Sequence, residues 1–178
     1  RANLIGRGTD DGQQLDYQDY RLGIRAVASN TNANSLICSA LPRFVFCGNS
    51  LLTSRGIGGE DLVCCVAFFN SFVNDWMIRN KVSQNINMFY VYQLPIPRLR
   101  KIDPAFNSIV ERAAKLICTT PEFDDLAKVV GLDSHRNGVS GETERRKLRA
   151  ELDAIIALLF GLTEEEFAYI LTTFPLVS

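Results

Sequence analysis

The pattern of apolar and polar positions reads differently in the two halves of the chain. Tyr20 to Ala28 alternates, with Arg21 and Arg25 interspersed, which predicts a strand. The polar run Ser29 to Asn34 marks a turn, and Leu36–Leu41 and Phe44–Leu52, parted by Pro42 and Arg43, predict two more short strands. Gly56, Gly58 and Gly59 then break the chain before Glu60 and Asp61. From Leu62 to Arg79, the residues Leu62, Val66, Phe69, Val73, Trp76 and Met77 recur at helical spacing, and acids in a first turn suit the helix dipole, so one helix is expected. After the polar loop 82–85, Ile86 to Leu94 sets Ile86, Met88, Tyr90, Tyr92 and Leu94 against Asn87, Phe89, Val91 and Gln93. That alternation predicts an interior strand, ended by Pro95 and Pro97. On this periodicity Trp76, Tyr90 and Tyr92 are core residues.

Beyond residue 100 the period is helical throughout. Pro104 to Cys118 carries Phe106, Ile109, Val110, Ala113, Leu116 and Ile117 on one stripe, with Asp103 as cap before Pro104. Phe123–Val130 predicts a short helix closed by Gly131, and Arg136–Glu142 a loop. Glu144–Phe160 predicts an amphipathic helix with Leu148, Leu152, Ile155, Ile156 and Leu159 on its apolar side, available to dock on the domain or on a further domain. Thr163 with Glu166 is a capping box for a last helix from Glu164 to about Thr173. The expected fold is therefore α+β: a small mixed sheet with a packed helix in the front half, then a helical C-terminal part. Three segments are expected: an exposed entry segment over 1–20, an α+β unit over 21–100 and a helical subdomain over 101–178.

Composition narrows the class. At 178 residues and 47% apolar the chain can bury a sizeable core. The longest apolar stretch, Leu62–Val73, is interrupted by Asn70 and Ser71, so a soluble, cytoplasmic protein with no membrane partner is expected. Arg1 opens the chain without a leader, which suggests a piece of something longer. The five cysteines, Cys64 and Cys65 adjacent, fit neither a disulfide framework nor paired zinc ligands, and read as reduced, mostly buried thiols.

The net charge of -1 hides an asymmetry. From Arg21 to Arg100 eight bases face three acids, a net +5; from Lys101 onward nine bases face thirteen acids, a net -4. Catalytic motifs are absent from this pattern. His135, the single histidine, sits in a Gly- and Asn-bearing loop and reads as solvated. The glycines at 56–59 lack a phosphate-loop lysine and read as a turn feeding a helix. Asp124, Asp125 and Lys128 are the nearest approach to a nuclease cluster but lack the strand context, and acids there suit a helix start. No metal site and no catalytic residue is expected in this chain.

Two segments are more specific. One runs Asn70-Ser71-Phe72-Val73-Asn74-Asp75-Trp76-Met77-Ile78-Arg79-Asn80-Lys81-Val82 and continues from Ile86-Asn87-Met88-Phe89-Tyr90 to Pro97. The other joins Leu148-Arg149-Ala150-Glu151-Leu152 to Leu159-Phe160-Gly161-Leu162-Thr163 and Phe167 to Pro175. Together with Tyr20–Pro42 they resemble the C-terminal target-recognition region of TaqI-like adenine-specific DNA methyltransferases, including the single-chain type IIG restriction-modification enzymes. The loop after Lys81 departs from relatives that carry Gly there, reading Ser83-Gln84-Asn85. The resemblance covers roughly residues 20–175. It implies a DNA-binding target-recognition module of a bacterial or archaeal restriction-modification or phage-defence enzyme, with duplex DNA and its own N-terminal methyltransferase domain as partners. S-adenosylmethionine and the catalytic motif, and any endonuclease activity, would belong to that other domain, and this piece would itself need no cofactor.

Such a module must hold phosphates and read base edges. Cations on phosphates release counterions, and Asn, Gln and Arg match base edges in the major groove. The candidate DNA-binding residues are accordingly Arg43, Arg55, Arg79, Lys81, Ser83, Gln84, Asn85 and Asn87. Arg25, within a strand, reads equally as a structural partner. The alternative is a protein-interaction domain whose arginines are incidental, favoured if the front-half bases scatter over the surface.

Overall fold

The computed structural model describes residues 15–28, 32–82 and 84–174. The turn at 29–31, Ser83, Pro175 and the entry segment up to residue 14 lie outside the described residues. The fold is α+β: a three-stranded sheet followed by helices. Strand β1 (Arg21–Arg25) is central, flanked by β2 (Cys38–Leu41) and β3 (Leu51–Thr53). Both pairings are antiparallel rather than mixed, and the β1–β2 connection carries no helix of the kind that usually makes the crossover between parallel strands. Leu22 and Ile24 share one face, opposite Ala40 and Cys38, and all four are buried. Gly23 alternates to the other face, where a β-carbon would come within 2.9 Å of the Leu41 side chain.

The helix expected over Leu62–Arg79 is two helices, α1 (Gly59–Phe69) and α2 (Phe72–Arg79), bent by 60°. The cause is polar competition at Asn70 and Ser71. The Asn70 amide donates to the carbonyls of Val66 at 2.9 Å and Cys38 at 2.8 Å, and its oxygen accepts the Cys38 N–H at 3.1 Å. Ser71 then caps α2, its hydroxyl accepting the Asn74 N–H. α1 is apolar nearly all round. Leu62, Val66 and Phe69 face the sheet, whereas Val63, Cys64, Ala67 and Phe68 face the helices beyond it. A single helix thus belongs to both hydrophobic cores.

Two expected strands are not strands. Phe44–Leu52 is irregular until Leu51, since Phe44 adopts a left-handed φ of 62° and leaves the extended path. Ile86–Leu94 contains helix α3 (Met88–Val91), with Asn87 accepting the Tyr90 N–H as its cap. Ile86, Val91 and Leu94 are buried; Val91 and Leu94 stand one helical turn apart, whereas a strand would put them on opposite faces. Tyr92, expected in the core, is 78% exposed; Tyr90 and Trp76 are half-buried.

The back half follows its periodicity. α4 (Pro104–Ile117) packs on α1 and on α6 (Glu142–Leu159); α5 (Asp124–Val129) closes one end, and α7 (Glu164–Thr172) lies against α2. Leu148, Leu152 and Ile156 are buried, so the α6 stripe docks on this chain itself. The Thr163–Glu166 capping box is formed. Asp103 occupies the cap position of α4 but turns its carboxylate back to the Arg100 N–H at 2.7 Å. The loop 136–142 contains a helical turn at His135–Asn137. His135 is not simply solvated: its Nδ1 lies 2.7 Å from Asp124 Oδ1, which also accepts the His135 N–H and the Ser134 hydroxyl. These bonds hold the Asp124 carboxyl down at about 2.

All five cysteines are free, and Cys38, Cys64 and Cys118 are buried. Burial pushes the Cys64 thiol up to about 12 and Cys118 to about 11. Among the described residues no single helix is long and apolar enough to cross a membrane.

Candidate nucleic-acid interface

An arginine that already holds a carboxylate brings little net charge to a phosphate, so the partners of the front-half bases decide which are available. Arg21 is buried and donates to the Val45 carbonyl. Arg25 donates to the Asn34 carbonyl at 3.4 Å, a structural role. Arg43 pairs with Asp125 at 2.9 Å and lies over the Tyr20 ring, 4.7 Å from its centroid. Arg55 pairs with Asp16 at 2.8 Å. Arg43 and Arg55 line one cleft of about 510 Å³ together with Asp16, Asp19 and Asp125, where acids from both ends of the sequence offset their charge.

Arg79 is also committed. Its side chain is 9% exposed, donates to the carbonyls of Asn32 at 3.0 Å and Ala33 at 2.8 Å, lies 3.9 Å from Asp75 and stacks 4.2 Å over the Phe174 ring. It fastens the β1–β2 connection and Phe174, just after α7, to α2.

The remaining candidates share one surface segment. Lys81 is exposed, and its Nζ meets no acid among the described residues, only Gln93 Oε1 at 3.4 Å. Gln84, Asn85 and Asn87 are exposed, and Ser83 lies outside the described residues. The backbone of this segment is held to the sheet end: Ala28 N–H donates to the Gln84 carbonyl at 2.9 Å, Ile86 N–H to Ala26 at 2.7 Å, and Val27 bridges Asn85. The Gln84 and Asn85 backbones are thus fixed while their side chains face outward. Asn87 spends its oxygen capping α3 and keeps its amide protons.

Two residues not counted among the candidates complete this surface. Phe89 is 66% exposed and Tyr92 78% exposed, both on α3 or its last turn, while Val91 and Leu94 anchor the same turn inside. Reading residues 86–94 as a strand hid them, because a strand would put Tyr92 on the Ile86 side; one turn of helix rotates it out. The signal available in the sequence was Asn87, a cap residue ahead of an apolar run.

Charge along the segment is one-sided. Between Asp75 and Asp103 the sequence has no acid and five bases: Arg79, Lys81, Arg98, Arg100 and Lys101. Arg100 pairs with Asp103 at 3.6 Å and Lys101 with Glu60, which leaves Lys81 and Arg98 as its exposed cations without an acidic partner among the described residues. The carboxylates at Asp124 and Asp125 face His135, Arg43 and Lys128, and no group of metal-ligating side chains occurs among the described residues. Comparison of the chain with family models, curated proteins and solved structures returned no match.

Proposed function

We propose that the chain is a DNA-binding target-recognition module of the adenine-specific methyltransferase kind, and that it meets duplex DNA through residues 81–93. The observation that supports this reading is the exposed set Lys81, Gln84, Asn85, Asn87, Phe89 and Tyr92 on a backbone pinned to the sheet and free of acids. Its chemistry is the mixture such a surface needs. Lys81 offers a phosphate contact. The Gln84 and Asn85 amides offer the paired donors and acceptors that match adenine in the major groove, and Asn87 offers its amide protons. Phe89 and Tyr92 offer apolar faces for a sugar, a thymine methyl or an unstacked base step. On this reading Arg43, Arg55 and Arg79 shape the module and do not carry its affinity, and methyl transfer with its S-adenosylmethionine belongs elsewhere in the enzyme.

The test is fluorescence anisotropy of labelled duplex pools at low and moderate salt. The expected result is binding whose logarithm falls linearly with the logarithm of salt concentration. Absence of salt-dependent binding to any duplex pool overturns the reading and favours the protein-interaction alternative.

A further inference from the structure

The segment 84–86 joins the end of the sheet through one pair of residues, Val27 and Asn85. The Ala28 N–H donates to the Gln84 carbonyl at 2.9 Å and the Ile86 N–H to the Ala26 carbonyl at 2.7 Å, so the two hydrogen bonds flank the pair rather than join it. In an antiparallel ladder this is the closely approaching kind of pair, with α-carbons about 4.5 Å apart and both side chains on one face. That face is open to solvent. Val27 is 59% exposed and Asn85 is exposed, whereas Ala28 and Ile86, the next residues in the pleat, are buried.

The pairing separates the three exposed amides of this segment. Asn87 spends its oxygen on the Tyr90 N–H and is left with donors alone. Gln84 stands one residue off in the pleat, on the side of the buried Ile86. The Asn85 side chain makes no hydrogen bond among the described residues, so its oxygen and its amide protons are both available, directly beside the methyl groups of Val27. The backbone bonds at Gln84 and Ile86 hold it there from both sides.

In the major groove adenine presents an acceptor, N7, next to a donor, the N6 amine, which one asparagine amide matches with two bonds, and thymine presents a methyl group. A G·C pair offers neither the acceptor–donor couple on its purine nor a methyl. We propose that Asn85 and Val27 are the specificity-determining pair of this module, Asn85 bonding N6 and N7 of one adenine and Val27 covering the thymine methyl of the same or the adjoining base pair. This rests on the reading of residues 81–93 as the surface that meets duplex DNA, and it adds Val27, which only the pairing with Asn85 brings to that surface. Lys81 supplies affinity common to every duplex, and the pair supplies preference. The adenine so read keeps its thymine partner in the duplex, unlike a base flipped out for chemistry.

The experiment is selection of duplexes from a randomised pool by the full chain, read by sequencing, beside anisotropy of the whole pool at low and moderate salt. The parent should enrich an A·T pair at one position, preferring it to G·C by about tenfold or more. Asn85→Ala should lose that preference while pool binding and its salt slope persist. In the selected duplex, 7-deazaadenine at that position should weaken the parent and not Asn85→Ala. Uracil in place of the contacted thymine should weaken the parent about fourfold and leave Val27→Ala unaffected. Both side chains are exposed, so neither variant endangers the fold, and unchanged melting temperatures check this. Salt-dependent pool binding without an A·T preference, a preference kept by Asn85→Ala, or equal responses of parent and variants to the modified bases would overturn the pair and leave the DNA-binding reading standing. Absence of binding to any pool would overturn both.

Discussion

The Asp75 carboxylate, wholly buried in α2, accepts the backbone N–H of Leu36 at 3.1 Å at the entry to β2. It also accepts the Ser35 N–H at 3.0 Å and the Asn34 side-chain amide at 3.2 Å. Burial raises its carboxyl above the usual range, outweighing the Leu36 and Ser35 bonds and the nearby Arg79. Asp75→Ala would leave these donors without an acceptor and should cost about 3–5 kcal/mol in urea denaturation. Amide exchange at Ser35 and Leu36 should accelerate with it. A loss below about 1 kcal/mol would show that water replaces the carboxylate without penalty.

Asp153 predicts a pH dependence. Burial pushes its carboxyl up to about 7, only partly opposed by the Phe72 N–H. Because the folded value lies above the unfolded one, the protonated group's stabilisation is complete below the ordinary carboxylate pKa, about 3.9, and is lost as pH rises through 7. Asp153 lines a cleft of about 520 Å³ between β2, the α1–α2 bend, the end of α4 and α6, where the other titratable or charged groups are Arg145, Arg149 and Cys38; the arginines stay charged, and burial drives the Cys38 thiol well above this window. Asp153→Asn cannot ionise, so it should match the parent near pH 4 and exceed it at pH 8 by about 3–4 kcal/mol. Parallel stability curves for the two proteins would contradict this.

Gly138 and Gly141 make a steric pair of tests. A β-carbon on Gly138 would lie 2.1 Å from the Cys118 carbonyl oxygen, where the 135–141 segment crosses the end of α4. Nothing stands within 4 Å of the same position on Gly141. Gly138→Ala should destabilise by about 2 kcal/mol or more, whereas Gly141→Ala should stay within about 0.5 kcal/mol. Thermal melts of both variants decide it.

Lys81 and Arg79 should separate affinity from stability. Lys81→Ala should weaken duplex binding and lower the magnitude of the salt slope by about 1, with an unchanged melting temperature. Phe89→Ala with Tyr92→Ala should weaken binding and leave that slope intact. Arg79→Ala should instead lower stability by about 2–3 kcal/mol, because it unfastens the Asn32 and Ala33 carbonyls and leaves Asp75 buried without its cation. An Arg79→Ala protein of full stability that has lost DNA binding would reverse these roles.

The sequence could be read wherever a residue's structure depends on near neighbours. The helical stripe Phe106, Ile109, Val110 and Ala113 and the Thr163–Glu166 box recur within one or two turns, and both elements form where expected. Periodicity failed where two periods fit the same residues. Ile86, Met88, Tyr90, Tyr92 and Leu94 alternate as in a strand, yet Val91 and Leu94 also stand one helical turn apart, and the Asn87 cap selects the turn. It failed again at Asn70, whose side chain finds its partner on Cys38 in β2.

The candidate site divides the same way. Residue types alone singled out Lys81, Gln84, Asn85 and Asn87 as surface polar chemistry. They could not reveal that Arg43 meets Asp125 across 82 residues, that Arg79 closes over Phe174, or that Asp153 accepts the N–H of Phe72, 81 residues away. By itself the sequence determined an α+β chain with a basic front half and a helical, acidic back half, because alternation, capping and charge are local properties. The tertiary structure alone decided which charges remain available and where clefts lie. Those depend on contacts between distant segments, made only when the α1 helix brings the sheet and the back-half helices together.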